Sequence, residues 1–331
     1  MADRVVIAGV RRGNTRVAAA ELKQACGRAG RSRLGYVDIV VGDSDTAQLK
    51  EDMESLDKLT VDSVLDKSAD FHLLAEIALE HVQDEESARA WASRSFFTFA
   101  GGVLDLQVLI KRLKSLESIQ EHEDRLVVTP LGEISSRLYF HPEDILCWRE
   151  NFQLIFKKEI EDIDVAVAWA LSSLAETRLQ ANVGKRGWYF FEEYKQRLSA
   201  YRLEQAEGTL VRGFLYWSLL GGPRLGKLRG EREEIVGDYG RVHQALLGLN
   251  KHYHWNQYDF FDNLKVQIEY GVPACLVPLC KIQGIGKTFA FELYNRGVQD
   301  LQSLRDNMSV VESIGNAVLI KVVKRAIDEE A

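Results

Sequence analysis

Between Pro142 and Cys275 the chain offers no stretch of strictly alternating apolar and polar residues, and this constrains its fold more than any other feature. Apolar residues recur instead at helical spacing. Pro142 opens a helix in which Ile145, Trp148, Phe152, Ile155 and Phe156 fall at three- and four-residue steps and so share a face. Further helices are expected over Val165–Leu174, Tyr189–Tyr201 and Leu210–Leu220. A break is expected at Gly184–Gly187, and Gly221-Gly222-Pro223 is a firm stop. The next long helix is expected from Arg232 to Tyr253, interrupted near Gly237–Gly240. Faces of this kind are buried helix on helix, so the chain reads as mainly α. Trp169, Trp188, Tyr189, Phe190, Phe191 and Trp217 read as core residues. One or two remain as base-stacking candidates, and the sequence does not say which.

Other stretches divide off from this bundle, so a multi-domain chain is expected, with blocks at 1–57, 58–141, 142–275 and 276–331. In the first, Val5–Val10 reads as a buried strand and Tyr36–Val41 as a second strand. A polar stretch through Asn14 and a helix over Val17–Cys26 lie between them. Two strands and one helix cannot close a core, so this segment needs either an absent half of its domain or another surface to cover it. In the second block, helices over Phe71–Val82, Glu86–Phe97 and Val103–Leu116 precede two short strands around a charged tip, Glu121 to Asp124. Three helices and such a hairpin spell a winged helix, here expected as a packing spacer.

The chain has 331 residues, long for one core, and a net charge of −7. The charge is unevenly placed. Residues 1–34 carry eight Lys/Arg against two Asp/Glu, and residues 35–90 carry four against fifteen. Spans 178–241 (twelve against eight) and 276–325 (seven against four) are again basic, which suits a phosphate backbone on one surface. The acidic block from Asp43 to Asp70 reads as a solvated connector. No apolar run reaches membrane-span length and no signal peptide opens the chain, so a cytoplasmic, nucleoid-associated or nuclear setting is expected. Cys26, Cys147, Cys275 and Cys280 are too scattered for a disulfide framework. With His252 and His254 the last two still lack zinc spacing, so no metal site is expected.

The stretch Gln24-Ala25-Cys26-Gly27-Arg28-Ala29-Gly30-Arg31 places two arginines three residues apart, on one face if the segment is helical. A guanidinium pair of this kind can hold a polyphosphate across a cleft. The stretch resembles motif VI of superfamily two helicases, the arginine-finger segment of their second RecA-like domain, and Ala2-Asp3-Arg4-Val5-Val6-Ile7 resembles the end of motif V. Thr129-Pro130-Leu131-Gly132 is similar to the T-x-L-G segment that follows the wing in these helicases. Leu264 to Pro273, ending in Tyr270-Gly271-Val272-Pro273, resembles archaeal DNA helicases of the Hel/Hjm type. In that family a ratchet helix runs along single-stranded DNA with an arginine and a tryptophan. Here Arg241 stands at the aromatic position, and the family's arginine falls near Glu234, or at Arg232 if the register slips.

The last block carries Ile282-Gln283-Gly284-Ile285-Gly286-Lys287-Thr288, the centre of a helix-hairpin-helix, with a weaker copy at Val311-Glu312-Ser313-Ile314-Gly315-Asn316. The helix after Gly286 presents backbone N–H groups and a positive dipole end to a DNA phosphate, with Lys287 adding charge. Gly286-Lys287-Thr288 is no phosphate loop, because that loop requires glycine where Lys281 stands.

The resemblance implies the C-terminal DNA-binding and translocation half of an ATP-dependent 3′-to-5′ helicase acting on single-stranded or forked DNA in repair. Gln24, Arg28 and Arg31 would face ATP and Mg2+ held by an N-terminal RecA-like motor half, with none bound by this chain alone. The DNA-binding candidates are Arg232, Arg241, Gly284, Ile285, Gly286, Lys287, Thr288, Ser313 and Gly315. A stand-alone DNA-binding protein, a related RNA helicase and an interaction scaffold remain alternatives.

Overall fold

The computed structural model describes residues 3–12, 15–30, 34–55, 63–158, 160–173, 184–203, 207–223 and 228–329. It divides into two units, 1–64 and 65–331, each taken by itself. The fold is mainly α and multi-domain.

The first unit holds strands β1 (Arg4–Ala8), β2 (Arg11–Arg12) and β3 (Thr15–Arg16), helix α1 (Ala19–Cys26), strand β4 (Tyr36–Val40) and helix α2 (Asp43–Ser55). β1 and β4 pair in parallel, Arg4 opposite Tyr36 through Ala8 opposite Val40. β2 and β3 form a short antiparallel ribbon inside the stretch read as a polar connection. Two expectations are corrected here. β1 is not a buried strand: Val6 is 62 % exposed and Val40 60 %, because two parallel strands leave both faces open. The acidic block is not a connector throughout, since its first thirteen residues form α2. Asp43 and Asp45 sit in its first turn, where the helix dipole favours carboxylates. The carboxylates also find partners: Asp45 pairs with Arg11 at 2.8 Å, and Asp52 with Arg16 at 2.7 Å. Arg4 is bound to Asp38 across the strand pair. Three of the eight Lys/Arg of residues 1–34 are thus paired with acids of the same unit.

The second unit begins with helices α3 (Ala69–Ala78), α4 (Glu85–Ser93), α5 (Phe96–Phe99) and α6 (Leu106–Ser115). The antiparallel hairpin β5 (Ile119–His122) and β6 (Arg125–Val128) follows. Its tip residues Glu123 and Asp124 both have left-handed backbones, as a tight hairpin turn requires. Leu73, Leu74, Ile77, Leu113, Ile119 and Leu126 form a core of their own. Helix α7 (Pro130–Leu138) starts with Thr129 as N-cap, its hydroxyl accepting from the Gly132 N–H at 3.2 Å. Gly132 is obligatory there, because an added Cβ would stand 2.0 Å from the Ser118 carbonyl oxygen.

A larger core gathers α7 with α8 (Pro142–Lys157), α9 (Ile163–Leu171), α10 (Gly184–Ala200), α11 (Glu207–Leu219), α12 (Arg229–His252) and α13 (Tyr258–Tyr270). Trp148, Phe152, Tyr194, Phe214, Tyr239 and Phe261 are fully buried in it. The expected break at Gly184–Gly187 is confined to its first residue: Gly184 turns left-handed at φ 65° and α10 starts there, taking in Gly187 because Phe191, Tyr194 and Leu198 bury one face and outweigh the glycine cost of ~1 kcal/mol. Likewise α12 is continuous over twenty-four residues. A Cβ at Gly237 or Gly240 would meet nothing, whereas Ile235, Tyr239, Val242, Leu246 and Leu249 hold the opposite face in the core. α13 ends at Gly271 with φ 60°.

The last core is built from α14 (Val277–Cys280), α15 (Lys287–Asn295), α16 (Leu301–Asp306), α17 (Met308–Ser313) and α18 (Ala317–Glu329). Ile285, Leu293, Val298, Leu304, Val311, Leu319 and Val323 fill it. α14–α15 and α17–α18 are two short helical hairpins, turned at Gly284 (φ 95°) and Gly315 (φ 71°).

Candidate nucleic-acid interface

In the first unit, α1 carries Gln24 in its last turn and stops at Cys26, with Gly27 as its C-cap. Gln24 and Arg28 are exposed, and Arg28 lies in the turn after the helix. Arg28 therefore stands beyond the helix, and Gly30 after it turns left-handed at φ 63°. Arg31 lies outside the described residues. The glycines serve a backbone crossing: a Cβ on Gly35 would stand 2.5 Å from the Gly30 nitrogen.

In the second unit, Arg232 and Arg241 sit nine residues apart on α12, about 14 Å at helical rise. Their surroundings differ. Arg241 is engaged with its own protein: Nη1 donates to the Leu138 carbonyl at 3.1 Å, Nε to Asp238 at 2.7 Å, and the guanidinium lies 4.8 Å from the Phe140 ring centroid. The carbonyl is one of those left open at the end of α7, where Tyr139 turns left-handed. Arg232 instead lines a groove of about 510 Å³ together with Arg229, Glu233, Gly237, Tyr270 and Gly271.

That groove is where two separately predicted residues meet. Lys287 Nζ donates to the Gly271 carbonyl at 2.6 Å. A Cβ on Gly271 would lie 3.0 Å from Arg232 Nη2 and 3.1 Å from Lys287 Nζ. Both cations thus converge on the C-terminal end of α13, where the helix dipole is negative. Lys287 links the hairpin to the bundle and is not a solvent-facing charge alone, as the sequence suggested. The loop between α11 and α12 also closes on this region, for a Cβ on Gly221 would stand 2.9 Å from Pro273 Cβ.

The two hairpins share a turn geometry and differ at their helix starts. Gly286 caps α15 without a side-chain hydrogen bond, in open space, and Thr288 beside it is exposed. At α18 the side chain of Asn316 accepts from the N–H groups of Val318 and Leu319 at 3.0 and 3.1 Å. Only the first start is therefore without an internal cap. Ile285 is a core residue, 1 % exposed, and its N–H donates to Ile282; it offers a phosphate neither side chain nor amide. The Gly315 N–H likewise donates to Glu312. Ser313 Oγ accepts from Arg296 Nη1 at 3.0 Å and donates to the Val310 carbonyl at 2.7 Å. Gly284 is structural: a Cβ would meet Val322 Cγ2 at 2.9 Å.

Sequence reasoning missed Asn316 and Gly271. The signal for Asn316 was local, an asparagine at a helix start after a glycine. Nothing local reveals Gly271, because its partners come from α12 and α15. Among the described residues no group of three or more His, Cys, Asp or Glu could hold a metal ion, and no helix is long and apolar enough to cross a membrane.

No protein-family model matches the chain. The sequence is 24 % identical over 326 residues to the ATP-dependent DNA helicase Hel308 of Thermoplasma volcanium, which covers 92 % of this chain and 47 % of the relative. It is 23 % identical to the Hel308 helicases of Pyrococcus horikoshii and Pyrococcus abyssi, over 346 and 356 residues, 94 % of this chain and 48 % of each relative. The chain spans about half the length of the curated relatives it matches. Along nearly its whole length, then, it is similar to a portion of the Hel308 DNA helicases.

Proposed function

We propose that this chain is the DNA-binding and translocation part of an ATP-dependent 3′-to-5′ DNA helicase acting on single-stranded or forked DNA in repair. The observation that carries the reading is the first hairpin. Its helix start at Gly286 is uncapped and open, with the exposed Thr288 beside it, on a core of its own. Such a start binds a phosphate through backbone N–H groups, independently of sequence. Similarity to Hel308 helicases over 92–94 % of the chain supports the same class.

In this reading residues 58–141 are a winged-helix spacer, 142–275 a ratchet bundle and 276–331 a helix-hairpin-helix module. Arg232 faces the strand from the groove beside Gly271, and Arg241 fastens α12 to the end of α7. Residues 1–57 complete a RecA-like lobe, which suits a parallel strand pair with both faces open. ATP and Mg2+ belong to the motor completed by an N-terminal half, where binding and release of the nucleotide would close and open the two lobes. This chain's contribution there is the exposed Gln24 and Arg28, with Arg31, whose guanidinium groups offset charge on the phosphates.

The test is fluorescence anisotropy with labelled single-stranded, forked and duplex DNA across a salt series. Binding weakens steeply with salt, and Gly286→Val or Thr288→Glu weakens it for all sequences alike. Unchanged affinity in both variants removes the hairpin from the interface. The purified chain shows no ATP turnover, and turnover above a blank contradicts the assignment of the motor to another half.

A further inference from the structure

The N-terminal part of α10, Gly184-Lys185-Arg186-Gly187-Trp188-Tyr189, has no role in the function above. The sequence left open which aromatic residues of the bundle pack and which stand free. Trp169, Phe191 and Trp217 are buried, at 8 %, 8 % and 5 % exposure, whereas Trp188 is 55 % and Tyr189 72 % exposed. Among the described residues of α10 these two rings are the only exposed large apolar groups.

The rings are held in place rather than loose. Trp188 lies 5.8 Å from the Phe191 ring, and Lys195 Nζ sits 5.7 Å from the indole centroid. Glu192 in turn holds Lys195 at 2.7 Å. Tyr189 packs edge-on against Phe190 at 5.5 Å. The local charge is positive. Residues 184–191 contain Lys185 and Arg186 and no carboxylate, and the first acids beyond them, Glu192 and Glu193, are paired with Lys195 and Arg197. Exposed, fixed aromatic faces beside the exposed Lys185 fit a flexible polyanion with unpaired bases.

We propose that Trp188 and Tyr189 form a stacking platform for unpaired bases of single-stranded DNA, with the backbone drawn in by Lys185. The platform rests on the nucleic-acid reading above but uses a helix separate from α12 and from both hairpins. The rings grip bases and not phosphates, so their signature differs from that of the hairpin: they discriminate strands with bases from strands without them, and replacing them leaves the salt dependence as it is.

The experiment uses the full chain with a dT 20-mer, an abasic 20-mer and a dA·dT duplex. Trp188 is the exposed member of the six tryptophans, so acrylamide quenching reports on it. Saturating dT shields the indole. The double variant Trp188→Ala/Tyr189→Ala loses about tenfold in affinity for dT, keeps its affinity for the abasic strand and keeps the salt slope. Trp188→Phe/Tyr189→Phe restores binding. Equal dT affinity in the wild type and the alanine variant, or an indole still quenched at saturation, overturns the platform. The nucleic-acid reading then stands as long as Gly286→Val weakens binding. No dT binding by the wild type overturns both. Shielding of Trp188 that grows with protein concentration without DNA overturns the platform in favour of a contact between copies of the chain.

Discussion

Gly286→Asp separates the structural from the functional role of the first hairpin, because it pushes stability and binding in opposite directions. The residue has φ −86° and ψ 176°, an extended conformation that any L-residue adopts. A Cβ there meets nothing within 4 Å. Aspartate is a better N-cap than glycine by a few tenths of a kcal/mol. α15 has no acidic residue in its first turn, so the added carboxylate contributes a further ~0.3–1 kcal/mol with the helix dipole. Removing a glycine from the unfolded chain contributes about 0.4–1 kcal/mol more. The variant is therefore more stable by roughly 1–2 kcal/mol, read from urea melts followed by circular dichroism. The same carboxylate occupies the N–H groups offered to a phosphate and repels it, so DNA affinity falls at least ~10-fold at fixed salt, read by anisotropy. Asn316→Ala at the second hairpin is the control: α18 loses its cap, about 1 kcal/mol, with little change in binding. A stabilised Gly286→Asp protein with wild-type DNA affinity refutes the phosphate seat. A destabilised one refutes the capping argument.

Gly284→Ala forces a left-handed backbone on an L-residue and drives its Cβ into Val322, costing about 2–4 kcal/mol in the same melts; a change below ~0.5 kcal/mol contradicts the close approach. Arg241→Ala removes the bonds to Leu138 and Asp238 and the contact with Phe140, lowering stability by about 1–2 kcal/mol, and Arg241→Lys recovers only part of it. Burial pushes the Asp164 carboxyl up to about 6, against the weaker opposing effect of the Gln267 side chain nearby. The folded state then holds a proton that the unfolded state releases near pH 4, so this residue's contribution falls as pH rises from about 4 to 6 and is flat above. Asp164→Asn accordingly matches wild type near pH 4 and exceeds it by about 1–2 kcal/mol at pH 7.5, a figure lowered for partial solvent screening; equal stability at both pH values would sink the argument.

Much of this molecule was legible in the sequence because its information is local. Three- and four-residue apolar steps set the helices from α8 to α12, and Gly221-Gly222-Pro223 stopped one of them where expected. The hairpin turns were legible for the same reason, since Gly284 and Gly315 supply left-handed backbones that few other residues adopt. Glycine as a breaker was a poorer guide. Gly187, Gly237 and Gly240 lie within α10 and α12, where apolar contacts made by the rest of each helix outweigh a small local penalty.

Only the tertiary structure decided which charges and rings remain available. Arg11 and Arg16 meet Asp45 and Asp52 thirty-four and thirty-six residues away, so two cations of a segment that reads as strongly basic are paired with acids distant in sequence. Arg241 lies against Leu138 and Phe140, about a hundred residues earlier, and Lys287 reaches back to Gly271. Periodicity assigns a residue to a face of its own helix, but which neighbour covers that face depends on how the helices cross. That is why Trp188 and Tyr189 stand free on the same helix that buries Phe191, and why composition around them gave no sign of it.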